Sequence, residues 1–160
     1  MKKNISTSNH LFDAIFEPTK NNSKSFLINN DGQTSYVKFH KIINQLANAL
    51  IEKGMKVGDR VAVQAEKSNT QIALYAATLK AGGVYLPLNI GYTANELDYF
   101  IKDSEAKIVI IDSEAEEKVS TYLNDNVTLL TLNADESGTL TNLANEQNIY
   151  FDAIERGPDL

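Results

Sequence analysis

This sequence predicts an α/β fold built on a mostly parallel sheet, and three observations carry that reading. From Arg60 onward, short apolar runs alternate with stretches whose apolar residues recur at helical spacing. One of those runs, Lys107-Ile108-Val109-Ile110-Ile111, is continuously apolar after its first residue, the pattern of a strand covered on both faces. The segment Leu79-Lys80-Ala81-Gly82-Gly83-Val84-Tyr85-Leu86-Pro87-Leu88-Asn89 passes from an apolar helix through two glycines into a strand, with a proline where that strand should stop. Alternating strands and helices imply right-handed βαβ crossovers.

Residues 10–16 place apolar groups at helical spacing and predict a short helix, followed by a polar loop over 19–24. Ser25-Phe26-Leu27-Ile28 and Gln33-Thr34-Ser35-Tyr36 flank Asn29-Asn30-Asp31-Gly32, an N-terminal hairpin whose Asp-Gly supplies a tight turn. Phe39, Ile42, Ile43, Leu46, Ala47 and Leu50 then share one helical face. Ser35 is its expected N-cap, Lys38 at N3 rules out a capping box, and Gly54 is placed to end it.

Gly58-Asp59 turns the chain into a strand over 60–65. Ser68 with Gln71 predicts a capping box for the helix running to Lys80, and Thr93 with Glu96 another for a helix through Ile101. Strands are expected over 84–88, 107–111 and 127–132. Ser113 and Glu116 are read as capping a more polar helix, and a weaker one is expected near 140–148. Arg156-Gly157-Pro158-Asp159 reads as a loop.

With 160 residues, one domain with a real hydrophobic core is expected. Net charge is −6, thirteen of the fifteen basic residues are Lys, and no basic block occurs, which argues against a nucleic-acid partner. The absence of Cys excludes disulfides and thiolate chemistry. No run reaches the roughly 20 apolar residues of a membrane span. The start Met1-Lys2-Lys3-Asn4 leads into polar residues rather than an apolar signal core, so a cytoplasmic protein is expected.

The chain contains neither G-x-G-x-x-G nor G-x-x-x-x-G-K-[ST], and Gly82-Gly83 precedes a strand instead of opening a helix, where anions are held. His10 and His40 lie in unrelated segments, so no metal or catalytic-histidine site is expected; His40 reads as a boundary residue of its helix. The run Asp112-Ser113-Glu114-Ala115-Glu116-Glu117 reads as a helix start that favours negative charge. Ser68, Thr93 and Ser113 are better explained as caps than as nucleophiles. Tyr85, Tyr92, Tyr99 and Phe100 carry rings able to stack on a base, though Tyr99 and Phe100 fit core and boundary positions of a helix. No residue is assigned a catalytic role.

The Leu79–Asn89 run resembles the L-[KR]-A-G-x-x-Y-[VL]-P-[LI]-[DN] motif near the start of adenylate-forming enzymes: acyl-CoA synthetases, adenylation domains of peptide synthetases and luciferases. Ser35-Tyr36 before the apolar helix, Gly54, Gly58-Asp59-Arg60-Val61-Ala62-Val63, Tyr92-Thr93, Glu96-Leu97 and Asp103 follow in the family's order, so the resemblance covers most of residues 10–135. The wording Gln64-Ala65-Glu66-Lys67-Ser68, Tyr85-Leu86-Pro87-Leu88-Asn89 and Glu96-Leu97-Asp98-Tyr99-Phe100 is similar to malonate–CoA ligases within that family.

The resemblance implies that residues 1–160 are the N-terminal part of an AMP-binding domain, a partial subdomain without the C-terminal subdomain. It implies ATP, Mg²⁺ and coenzyme A as cofactors of the full-length enzyme, with a malonate-like carboxylic acid as substrate. Fatty-acid or coumarate-type substrates are the alternative. It also implies that the remainder of the same chain packs against this part, which alone should expose a contiguous apolar face and associate. The family's Ser/Thr/Gly-rich loop ending in Lys-Gly, its Tyr-Gly-x-Thr-Glu motif, its ribose-binding Asp and its C-terminal lysine have no counterpart here. The one carried-over site is the loop Asn89-Ile90-Gly91-Tyr92, where Gly91 and Tyr92 are candidates to meet coenzyme A. The alternative reading of these two is a turn glycine and a buried ring. Two other functions stay open: a stand-alone interaction or regulatory module that kept the fold, and a small complete nucleotide-binding protein.

Overall fold

The computed structural model describes residues 9–29 and 32–154. Helix α1 (His10–Ile15) and a 3₁₀ turn (Glu17–Thr19) lead to the hairpin β1 (Ser25–Asn29) and β2 (Gly32–Ser35), then α2 (Tyr36–Glu52). The α/β part follows as β3 (Arg60–Gln64), α3 (Asn69–Lys80), β4 (Val84–Pro87), α4 (Ala94–Asp103), β5 (Ile108–Ile111), α5 (Glu116–Ser120), β6 (Thr128–Thr131) and α6 (Thr139–Asn145). The expected turn at Asn30-Asp31, the start of the chain and the loop at 156–159 lie outside the described residues.

Four parallel strands pair in the order β4-β3-β5-β6, beside the separate antiparallel hairpin. Strand side chains alternate between two cores. Val61, Val63, Ile108, Ile110 and Leu130 join Phe12 and the inner faces of α2, α3 and α6. Ala62, Val109 and Ile111 join Leu97 and Ile101 of α4 and Val119 of α5. Helices therefore cover both faces, which is why β5 is apolar throughout and wholly buried. Exposed apolar side chains among the described residues include Leu11 and Ile15 on α1, Ile28 on the hairpin, Val84 on the edge strand β4 and Ile90 in the loop after it.

Capping follows the sequence in part. Ser35 accepts from the Lys38 amide with no reciprocal bond, and Thr93 and Glu96 form a complete box. Ser68 accepts from the Gln71 amide, but the Gln71 side chain donates to the Tyr85 hydroxyl at 3.0 Å, so this box is only half formed. A second correction concerns 113–120. Asp112, not Ser113, caps a 3₁₀ turn (Ser113–Ala115) by accepting from the Glu114 amide, and α5 starts behind it without a side-chain cap. Tyr99, expected at a core or boundary position, is 60% exposed.

The Gly82-Gly83 junction is set by close packing. Gly82 has φ +77°, a backbone favourable to glycine, and a Cβ on Gly83 would stand 2.9 Å from Met55 Sδ and 3.0 Å from Thr78 Cγ2. Gly83 donates to the Thr78 carbonyl, so α3 closes directly onto β4. Pro87 ends β4, an edge strand, where its missing N–H leaves no ladder bond unmade.

A polar cluster ties α1, α2 and α3 together at their shared end. Lys80 is 7% exposed; its ammonium donates to Asn44 Oδ1 at 2.6 Å and lies 5.2 Å from the centroid of the Phe12 ring. Asn9 donates to the Leu79 carbonyl. Thr19 spends its hydroxyl proton on the Phe16 carbonyl at 2.7 Å, so His40 Nε2, 3.0 Å away, is the donor between them. His40 is buried, not the boundary residue its helical position suggests. Along α2, Asn44 donates to the Ile149 carbonyl, Gln45 to that of Gln147, and Asn48 to those of Asn148 and Tyr150. The segment after α6 is thereby strapped across α2, and the Ile154 amide closes on the Lys80 carbonyl. No described helix is long and apolar enough to cross a membrane.

Two expectations follow. Gly83→Ala should lower the urea midpoint, at a cost of about 1–3 kcal/mol for forcing a methyl group into a filled space; an unchanged midpoint contradicts the packing argument. Burial first, and then the Lys80 charge, hold the His40 pKa below its ordinary 6.5. The fold thus favours neutral His40, the unfolded chain binds the extra proton, and stability drops as pH falls below about 6.5. Urea midpoints at pH 7.5 and pH 5.5 should differ in that direction, and the difference should shrink in His40→Gln.

Candidate functional site

The strand order reverses direction between β3 and β5. From β3 the chain runs through α3, on the larger core, to β4 on one side. From β4 it returns through α4, on the opposite face, to β5 on the other side. At the carboxyl ends of β3 and β5 the following segments therefore diverge and leave a crevice, the place where open α/β sheets bind ligands. Here it is a cleft of about 380 Å³. Gln64 and Glu66 line it from the end of β3, Ile90 and Tyr92 from the β4–α4 loop, and Asp112, Glu114 and Ala115 from the end of β5.

The β4–α4 loop is a built turn. Asn89 Oδ1 accepts from the Gly91 amide at 2.8 Å, and the Asn89 carbonyl accepts from the Tyr92 amide at 3.0 Å. Thr93 then starts α4, and its amide and hydroxyl both donate to Glu96, which holds that carboxyl below the usual carboxylate range. The Tyr92 ring stacks on Phe100 with centroids 4.9 Å apart and planes 23° from parallel. The side-chain amide of Gln64 reaches the loop from below, donating to the Asn89 carbonyl at 2.9 Å and to the Tyr92 carbonyl at 3.2 Å.

Of the two sequence-predicted site residues, half-buried Tyr92 lines the crevice, whereas exposed Gly91 precedes it in the loop and is not part of the lining. The backbone of Gly91 is outside the left-handed region, and a Cβ there would meet only Asn89 Oδ1, at 3.3 Å. The turn therefore does not require glycine at this position. Tyr92 rests on Phe100 while its residue still contributes to the crevice wall. Sequence reasoning missed Gln64. The available signal was a long polar side chain directly after Val61-Ala62-Val63, at the carboxyl end of a strand beside the reversal.

The crevice walls carry three carboxylates, Glu66, Asp112 and Glu114, and no cation. Such walls repel phosphate. Among the described residues no group of His, Cys, Asp and Glu is arranged to hold a metal ion. Among the described residues lining this cleft, none supplies the positive charge that ATP phosphates call for. Tyr85 is turned away into the larger core, where burial pushes its hydroxyl up to about 12.

A family model described as AMP-binding enzyme matches residues 17–156. Tyrocidine synthase 1 of Brevibacillus parabrevis is 39% identical over 85 residues, which is 53% of this chain and 8% of that protein. The crystal structure of ATP-bound MatB from Rhodopseudomonas palustris is 40% identical with a TM-score of 0.90, covering 95% of this chain and 31% of that one. A benzoate CoA ligase from Burkholderia xenovorans LB400, at 19% identity and a TM-score of 0.78, covers 92% of this chain and 30% of its own; it shares the fold. This chain spans about a third of these solved relatives and less than a tenth of the curated peptide synthetase. On these grounds the chain belongs to the AMP-binding, adenylate-forming enzymes, with the fold of the N-terminal part of MatB.

Proposed function

We propose that this chain is the N-terminal part of an ATP-dependent acyl-CoA synthetase acting on a malonate-like carboxylic acid. In that reaction the carboxylate attacks the α-phosphate of ATP, releasing pyrophosphate and leaving an acyl-adenylate. The thiol of coenzyme A then displaces AMP and forms the thioester. The observation that supports this reading best is 40% identity to MatB across 95% of the chain at a TM-score of 0.90. The malonate branch also has the wording of 64–68 and 96–100 in its favour.

The contribution of this chain is positional. The scaffold presents the loop at 89–92 beside a crevice without cations, so the part of coenzyme A suited to it is the uncharged amide-bearing arm, not the phosphates. Gly91 offers bare backbone and Tyr92 a ring already held on Phe100. The groups that hold ATP and Mg²⁺ are assigned to the remainder of the full-length enzyme, which packs against this part. A non-catalytic module is the competing reading, and the coding sequence past Leu160 separates the two. Continuation into a Ser/Thr/Gly-rich loop supports the synthetase; a stop codon supports the module.

The 160-residue chain by itself should give no malonate-dependent exchange of labelled pyrophosphate into ATP, while the protein with everything its gene encodes should. In the latter, Gly91→Ala should leave stability within about 0.5 kcal/mol of the parent while raising KM for coenzyme A. An unchanged KM removes the loop from the coenzyme A path.

A further inference from the structure

Gln64 has a relation to the β4–α4 loop that no other side chain in the crevice shares. It is the last residue of β3, paired in register with Ile111 of β5, and so stands at the point of reversal. Its amide nitrogen donates to two carbonyls of the loop, three residues apart. Both acceptors are carbonyl oxygens, which can only receive, so the orientation of the Gln64 amide follows from its partners.

The two bonds act at opposite ends of one turn. The Asn89 carbonyl already accepts from the Tyr92 amide, and Asn89 Oδ1 from the Gly91 amide. Gln64 adds a strut from the sheet to this turn at Asn89 and at Tyr92. Without it the loop would keep only the Leu88 amide on the Val63 carbonyl as its tie to β3, and the bonds of the Gly91 and Tyr92 amides within the turn would open more often. Gly91 and Ile90 are exposed, and the loop is otherwise held through the Tyr92 ring on Phe100 and the start of α4.

We infer that Gln64 is a positioning residue: it fixes the 89–92 loop at the height and tilt at which Gly91 and Tyr92 meet the incoming thiol cofactor. This rests on the coenzyme A reading of the loop given above. Gln64 acts through the loop and takes no part in bond making. Adenylation, which needs no coenzyme A, is therefore indifferent to it, whereas capture of the cofactor is not.

The test compares Gln64→Leu, which keeps the bulk and removes the donor, with Gly91→Ala and the parent, in the protein as its gene encodes it. Three readings are taken: amide hydrogen exchange at Gly91 and Tyr92, malonate-dependent pyrophosphate exchange, and KM for coenzyme A in thioester formation. Gln64→Leu should speed exchange of the two loop amides and raise KM for coenzyme A, each by about tenfold, the effect of one net hydrogen bond. Pyrophosphate exchange should stay unchanged. A fall in pyrophosphate exchange matching the change in KM would mean a merely structural role and overturn the inference. Unchanged loop amides in Gln64→Leu would overturn it too, whatever the kinetics show. If Gly91→Ala raises KM and Gln64→Leu does not, the positioning role fails while the coenzyme A loop stands. If the loop amides loosen but neither variant shifts KM, the coenzyme A reading itself is what fails.

Discussion

The parallel pairing of β3 with β5 is the constraint on which the rest of this structure depends. Val61, Ala62 and Val63 run in register with Ile108, Val109 and Ile110, and all six are essentially out of water. Full burial of a side chain the size of Val or Ile contributes roughly 1.5–3 kcal/mol, and sliding this pair by one residue would send every side chain into the opposite core, where the packing is built for other shapes. With β4 on one flank of the pair and β6 on the other, α3 and α4 must lie on opposite faces. The divergence that opens the crevice, and the opposition of Gln64 to the end of β5 across it, follow from that arrangement.

The same constraint explains what could be read from the residues beforehand. Strands and helices were legible because burial on two faces leaves uninterrupted apolar runs, and burial on one leaves a helical stripe. The Thr93–Glu96 box was legible because both partners lie within one turn. Gln71 looked like the matching partner of Ser68, yet the nearby Tyr85 hydroxyl, buried on β4, takes its side chain instead. Asp112 caps in place of Ser113, because its carboxylate accepts from the Glu114 amide and opens a 3₁₀ turn one residue earlier. At Gln71 a tertiary partner outcompeted a local one. Gln64 was illegible for the same reason, since its acceptors stand 25 and 28 positions along the chain and are main-chain atoms. For the candidate site, the family resemblance pointed to the loop at 89–92, of which Ile90 and Tyr92 line the crevice, whereas the carboxylate-lined walls emerged only from the folding together of three strand ends.

Lys80 shows how a residue inside a recognisable run acquires a structural task. Burial holds its pKa below the ordinary amine value, and no carboxylate lies within ion-pair distance among the described residues. Its charge is met instead by the Asn44 carbonyl oxygen and the face of Phe12. Through Asn44 it reaches the strap on α2, and through its own carbonyl the strap's far end at Ile154. The end of α3 thus serves as the knot joining α1, α2 and the final described segment.

That strap has a consequence for how the chain is made. The amides of Asn44, Gln45 and Asn48 wait for carbonyls 105, 102, 100 and 102 residues further on. At about 5–20 residues per second of ribosomal synthesis, α2 emerges roughly 5–20 s before its partners exist. During that interval its polar stripe faces water at no cost, because asparagine and glutamine are content there, whereas an apolar stripe would invite foreign contacts. The closure itself then combines these amides with apolar contacts, since Leu140 and Ala144 of α6 enter the larger core and Phe151 packs against it once the segment arrives.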